Sequence, residues 1–435
     1  MRLPRIFFGW WITLVTAIVS GLGGVFYIQG FSALFKPLSD ELSLSRAAAS
    51  AAAGIGTICN GSVFLLTGWL SDRYGPKWVI IAGICLMSTG LVLMNFITSL
   101  WNYYIVWGVI IAVGHTLGFT VSNDKILTDW FVSKRGLALG LRFALIGIIG
   151  VIALPLISWL IATQGWQMTC LIWAGVIFAG IPFVLYFVKQ RRPEYYGLLP
   201  DGAKAESGSE ADIDVMVARG VEYAASLQET EFTLRQAMRT SSYWVLTVVL
   251  IIGSVVFQSF NAHCIPFLTD MGIDPIVAGS MMAMMGFFTI PSRFLAGFIA
   301  DRISRERLKF LLAGALLLMA LGIGTFLLSQ TVASVYILLI LFGLGSGPII
   351  ILDIVIRGRY FGRKAYGLIQ GSAMIFTAPI SLLVLVYVGW SYDVTGNYMT
   401  AFTLLAAMAA FAAFLICLVR PPKPPAHISD IRRLV

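Results

Sequence analysis

The chain has 435 residues, of which 58% are A, V, I, L, M, F, W, Y or C and 12% are charged, with mean hydropathy +0.87. About 25% of a soluble domain is charged, and a compact chain of this size cannot hide so much apolar side chain from water. A large soluble catalytic domain is therefore excluded, and because the formal charge of +9 falls on residues flanking apolar stretches, it reads as membrane orientation and not as nucleic-acid binding.

Met1-Arg2-Leu3-Pro4-Arg5 leads into an apolar run from Ile6 to Phe35. That run is too long for a signal-peptide core and has no small-residue cleavage site, so it is read as the first span. Eleven more follow, and the twelve expected spans are 8–35, 48–70, 78–97, 101–123, 136–163, 168–188, 242–268, 276–300, 309–328, 332–356, 366–389 and 397–419. Each is long enough for a hydrocarbon core of about 30 Å, which predicts an all-α integral membrane protein with twelve transmembrane helices. Twenty-six of the 30 Lys and Arg residues fall in the termini and even-numbered loops, counting Lys309 at the first position of the ninth span. Only Lys36 and Arg46 lie on the opposite face, and Arg142 and Arg293 lie within spans. This bias predicts cytoplasmic termini in a plasma (inner) membrane.

Residues 190–241 interrupt the pattern and divide the chain into a six-helix half (1–189), a linker and a second half (242–435). Asp201 to Glu210 read as a polar, mobile linker, and Phe232 to Met238 as a short amphipathic helix on the cytoplasmic surface. The halves repeat. Gly68-Trp69-Leu70-Ser71-Asp72-Arg73 ends the second span, and Gly297-Phe298-Ile299-Ala300-Asp301-Arg302 ends the eighth. Trp130-Phe131 with Lys134 and Gly140 is matched by Tyr360-Phe361 with Lys364 and Gly371 at nearly the same offset. Such parallel repeats are the architecture of many secondary transporters.

These residues resemble the major facilitator superfamily, whose signature loop is similar to Gly68 through Lys77. The physical logic is legible: Gly68 permits close helix packing, and Asp72 can meet a helix N-terminus or a basic partner and so lock one conformation. Gly68, Asp72, Arg73 and their repeats Gly297, Asp301 and Arg302 are the expected conformational switch. Within the superfamily the chain resembles the monocarboxylate-porter and oxalate/formate-antiporter group. The cues are Phe8-Gly9-Trp10-Trp11, Trp130 through Leu141, and Tyr360-Phe361-Gly362-Arg363-Lys364. Three positions depart from that group. Its first-helix lysine falls on Gln29, its eighth-helix acid on Thr289, and the eleventh-helix lysine of the oxalate/formate group on Ala373.

Arg293 lies eight residues inside the end marked by Asp301, roughly 12 Å along a helix and so close to mid-bilayer. A charge there is costly and usually faces a watery cavity. A carboxylate contact agrees with the family's substrate arginine, while a salt bridge between helices is the structural alternative. Arg142 is either a second anion contact or a side chain snorkelling to the cytoplasm. Asp353 reads as the only acid inside a span. It is either a proton site or the partner of Arg357 one helical turn on. His115 and His263 can titrate near neutrality or simply bond neighbouring helices. Tyr27, Gln29, Asn123, Gln258, Asn261 and Gln370 are hydrogen-bonding candidates that serve equally well as interhelical contacts.

Five cysteines stand singly in apolar runs, so neither a disulfide framework nor a metal site is indicated. No catalytic motif and no cofactor motif appears. The expected function is transport of a small organic monocarboxylate by alternating access, with protons or a counter-anion as coupling ion. Export of apolar or drug-like compounds is the alternative, and a ligand-binding membrane sensor stands lower.

Overall fold

Glycine, alanine and branched apolar side chains in runs of twenty or more have one option in a bilayer, which is to satisfy every backbone group within a helix. The computed structural model describes residues 7–41, 46–203, 213–226 and 230–423. Among these, ten helices are long and apolar enough to cross a membrane. One of them, Arg135–Phe187, runs 53 residues, about 80 Å if straight and so far longer than one crossing. It turns at Gly165, whose φ of +80° lies where only glycine is unstrained. That divides it into α5 (135–164) and α6 (166–187). The remaining span, α2 (Arg46–Tyr74), is built of small residues at its start and is correspondingly less apolar. The total of twelve agrees with the sequence.

In chain order, α1 is Gly9–Val25, continued through a five-residue π turn to Phe31–Glu41. After α2 come α3 (Pro76–Leu93) and α4 (Leu100–Trp130). Beyond α6 come α7 (Ser241–Asp270), α8 (Pro275–Arg302), α9 (Leu308–Ser329) and α10 (Val332–Phe361). The chain closes with α11 (Tyr366–Met374 and Thr377–Thr395) and α12 (Met399–Cys417).

The linker holds more structure than its composition suggests. Besides the expected short helix, here Leu234–Met238 with a Thr233 capping box, it contains a helix at Ile213–Ser226. Of the expected mobile stretch from Asp201 to Glu210, residues 204–210 lie outside the described residues. Asp201 is anchored, not loose: its carboxylate accepts from the backbone N–H groups of Val132, Ser133 (2.8 Å) and Lys134 (2.9 Å), and from the Tyr223 hydroxyl (3.1 Å). Burial and the Asp201 charge push the Tyr223 phenol up from its ordinary value.

The chain forms two compact units. The first takes in residues up to Lys134, Leu141–Leu227 and Arg363–Ile375, and the second Arg135–Gly140, Gln228–Gly362 and the chain from Phe376 onward. They follow the two halves except that the start of α5 belongs with the second and the start of α11 with the first. In the first unit two stretches that carry the family resemblance pack on each other: Trp10 lies 5.0 Å from Phe131 and Phe8 5.9 Å from Trp130, centroid to centroid.

Candidate functional site

The repeated Gly–Asp pairs explain that exchange of segments. In the first unit α2 meets the start of α11 so closely that a methyl at Gly68 would fall 2.0 Å from the Gly367 carbonyl oxygen. One turn on, Asp72 accepts from the backbone N–H groups of Gly367 (3.2 Å) and Leu368 (2.8 Å). In the second unit a methyl at Gly297 would fall 2.0 Å from the Gly136 carbonyl oxygen. Asp301 accepts from Gly136 and Leu137, each at 2.7 Å. Each carboxylate thus caps the exposed N–H groups of a helix start, where the helix dipole favours negative charge. Each also has a cation at 3.6 Å, Lys125 for Asp72 and Arg359 for Asp301.

The neighbouring arginines do not join these caps. Arg73 stacks on Trp69 and Tyr74 of its own helix, and Arg302 on Phe298, whose carbonyl it also bonds at 3.0 Å. Around Asp72 the charges continue inward. Lys125 donates to Asp129 (2.7 Å) and to the Arg363 carbonyl (2.8 Å). Arg363 donates to the Asp129 carbonyl (2.9 Å) and pairs with Glu194 of the linker (3.0 Å), both side chains being buried.

Within the second unit, Arg293 on α8 is half-buried, and its buried Nε has no hydrogen-bond partner among the described residues. No ion pair to it is found among those residues either. Helix α10 crosses at this level through Gly343 and Gly347. A methyl on Gly347 would strike Ser292 Oγ at 2.1 Å and would lie 3.4 Å from Arg293 Cγ. Thr289, where the family group has an acid, bonds the carbonyls of Met285 (2.9 Å) and Gly343 (3.3 Å) instead. It holds two helices together and leaves the guanidinium without a counter-charge from that position. Asp353 is not free for such a role: its carboxylate is paired with Arg357 on the same helix, the local-pair alternative. His263 is half-buried beside the Tyr398 ring, 5.7 Å between centroids. Gln258 reaches Ser381 at 3.4 Å, and Asn261 is half-buried on the same helix.

Within the first unit, His115 on α4 is buried and stacks on Tyr27 of α1 at 4.4 Å between centroids. Its Nδ1 has no hydrogen-bond partner among the described residues. Trp107 stacks on the same tyrosine at 6.0 Å. The Tyr27 hydroxyl accepts from Asn60 (3.1 Å), whose Oδ1 accepts from Thr116 (2.6 Å). Asn123 lies just past a break in α4 at Thr120 and donates to the Gly118 carbonyl (2.8 Å). The Gln29 side chain lies outside the described ones, and Gln370 is buried.

Two expectations need correction. Arg142 does not snorkel: it is 1% exposed and ion-paired to Asp124, with a second bond to Ser20 Oγ at 2.9 Å. Nor is Asp353 the only acid in a span. Helix α4 runs on to Trp130 and carries Asp124 and Asp129 with it. Ser122-Asn123-Asp124-Lys125 looks like the start of a polar loop. The missed signal is that nothing from 121 to 130 is Pro or Gly, so no residue there stops a helix.

Residues 10–384 match the family model described as Major Facilitator Superfamily. Along most of its length the chain is similar to monocarboxylate transporter 13 of Rattus norvegicus, 25% identical over 416 residues, covering 92% of this chain and 86% of that one. It is also similar to the oxalate:formate antiporter of Oxalobacter formigenes, 23% identical over 412 residues, covering 91% and 89%. Its fold matches that of the proton:xylose symporter XylE bound to 6-bromo-6-deoxy-D-glucose, with a TM-score of 0.70 at 14% identity over 94% of this chain and 95% of that one. Twelve helices, a duplicated carboxylate cap at a helix start and a family match across most of the sequence agree, and the chain belongs to the Major Facilitator Superfamily of multi-pass membrane transporters.

Proposed function

We propose that this protein is a secondary active transporter that moves a small organic monocarboxylate by alternating access, with Arg293 holding the carboxylate. The observation that carries this reading is a half-buried arginine inside a span, whose buried Nε has no hydrogen-bond partner and for which no ion pair is found among the described residues. Burying a lone cation is expensive, and the natural return on that cost is an anion that arrives from outside. A guanidinium presents a planar fork that matches both carboxylate oxygens and stays charged at any working pH. Arg142 adds no net charge because Asp124 neutralises it, so a single uncompensated arginine suits a monoanion better than a dianion. Similarity to monocarboxylate transporters and to an oxalate:formate antiporter supports the substrate class. Asp72 and Asp301, capping the starts of α11 and α5, are the proposed conformational switch. The Lys and Arg bias supports cytoplasmic termini, and a cysteine at Ser207 should react with a thiol reagent only from the cytoplasmic side.

The test of the substrate site is equilibrium binding and counterflow with a panel of short carboxylates on purified, monodisperse protein. Arg293→Ala should lose most carboxylate binding, and Arg293→Lys should bind more weakly because an ammonium lacks the bidentate geometry. Exchange of a carboxylate by Arg293→Ala at the parental rate would make the residue structural and remove the main support for this function.

A further inference from the structure

Away from Arg293, the first unit brings together two lysines from the ends of different helices. Lys77 is the second residue of α3, and Lys189 lies two residues beyond the end of α6. The chain leaving α6 is pinned against the turn that enters α3. Gln190 Nε2 donates to the Tyr74 carbonyl at 3.3 Å, and a methyl on Gly75 would fall 2.4 Å from the Gln190 carbonyl oxygen. This packing sets Lys189 within electrostatic reach of Lys77. Both side chains are half-buried, and no ion pair to either is found among the described residues. The acids closest along the chain are committed elsewhere: Asp72 caps the start of α11, and Glu194 pairs with Arg363. Two like charges held side by side repel, and an anion between them reverses the sign of that interaction.

The duplication separates what the two lysines do. Lys77 donates to the Leu185 carbonyl near the end of α6 at 2.6 Å. Lys309, the second residue of α9, likewise donates to the Cys417 and Val419 carbonyls at the end of α12, at 2.7 and 2.9 Å. That contact therefore belongs to both repeats, and it leaves the Lys77 ammonium with donors to spare. Lys189 makes no such contact. Its Nζ lies 4.9 Å from the Phe8 ring centroid and 5.8 Å from that of Tyr196, and no hydrogen bond from it is found among the described residues. Ring faces hold a cation in place without neutralising it. Trp78, next to Lys77, and Tyr186, at the end of α6, are exposed. In a multi-pass membrane protein, exposed Trp and Tyr at the ends of spans mark the depth of the lipid headgroups.

We propose that Lys77 and Lys189 form a site for the phosphate of an anionic phospholipid, in the leaflet on the linker's side of the membrane. The phosphate accepts from the spare donors of both ammonium groups and removes their repulsion, while the acyl chains lie along α3 and α6. Basic sites between transmembrane helices recognise such headgroups. A free phosphate shares that chemistry but leaves the exposed rings uncovered, so the lipid is the occupant.

The experiment titrates the full chain, purified and delipidated in a nonionic detergent, with phosphatidylglycerol or with phosphatidylcholine of the same acyl chains. Native mass spectrometry counts the lipid bound. One lysine at a membrane surface favours an anionic lipid about fivefold, and two about 25-fold. The first phosphatidylglycerol should therefore bind about 25-fold more tightly than the first phosphatidylcholine. Lys189→Gln should lose about fivefold of that preference, and Lys77→Gln with Lys189→Gln nearly all of it. Lys309→Gln should keep the parental preference, and inorganic phosphate at the lipid's concentration should displace none of the lipid. A photoactivatable phosphatidylglycerol should label residues 76–78 or 185–189 of the parent, a readout that does not depend on any variant staying folded. Equal affinity of the parent for the two lipids overturns the site, as does parental preference in the double variant or labelling confined to other helices. An equal loss in Lys309→Gln would make the attraction a general effect of basic residues, and displacement by inorganic phosphate would make the occupant a soluble anion; either result also overturns it.

Discussion

Two packing regions each hold an arginine inside a span, and the two arginines stand in opposite electrostatic states. Where α8 meets α10, the adjacent Ser292 and Thr289 offer Arg293 no charge and spend their hydroxyls on backbone carbonyls. Where α4 meets α5, Arg142 is tied to Asp124 and Ser20. Arg142 is the more deeply buried, 1% exposed against a half-buried Arg293. Pairing separates them as well, and that difference teaches what each region is built for. A paired cation is already neutral and gains little from a passing anion, whereas an unpaired one is held at a cost that only a ligand offsets. Arg357, paired within its own helix to Asp353, is the internal control for the first kind.

The largest effect that can break this comparison is on stability, since the two kinds of arginine should respond with opposite sign. Arg357→Gln removes one partner of a buried pair, a loss on the order of 3–5 kcal/mol. The melting temperature should fall by several degrees, and Asp353→Asn added to it should recover most of the loss. Arg293→Gln removes a half-buried charge for which no ion pair is found among the described residues, so its melting temperature should hold or rise in the absence of ligand while carboxylate binding is lost, the trade expected where a site is kept strained for function. A fall for Arg293→Gln as large as that for Arg357→Gln would show that Arg293 has a structural counter-ion and would erase the distinction.

The same distinction sets the limit of what sequence could reveal. Arg293 was recognisable because its depth follows from counting residues from Asp301, and the twelve spans followed from length and apolarity alone. The paired carboxylate caps were recognisable because Gly68–Asp72 and Gly297–Asp301 repeat at one offset, and a glycine four residues before an aspartate at a helix end carries its own packing logic. Asp124 was hidden because Ser122 and Asn123 before it are turn-like residues. Only the fold reveals that they satisfy the carbonyls of Leu117 and Gly118 at a break inside a continuing helix. The linker was hidden for a related reason: Asp201 and Glu194 belong to a polar stretch, and their partners at residues 132–134 and at Arg363 lie far away in sequence. Periodicity reports which face is apolar, but not which distant donor a carboxylate will find.

The smallest effect is expected at the two caps, where substitution changes charge and leaves shape intact. Asparagine in place of Asp72 or Asp301 keeps one carbonyl acceptor for the helix start and loses the charge that makes those bonds strong. The loss is about 1 kcal/mol, which shifts a two-state conformational equilibrium roughly fivefold. Asp301 holds its two N–H groups at 2.7 Å each. Asp72 holds its pair at 3.2 and 2.8 Å and has Asp129 within electrostatic reach, joined through the same Lys125. The second-unit cap should therefore be the stronger, and Asp301→Asn should shift the population of conformers more than Asp72→Asn. Distance distributions between spin labels placed on the outer ends of paired helices report those populations directly. Carboxylate affinity should stay within a few-fold of the parent in both variants, because neither residue lies at Arg293, while transport rates should fall. If either variant lost binding severely while interconverting normally, the caps would belong to the binding region and would not be a switch.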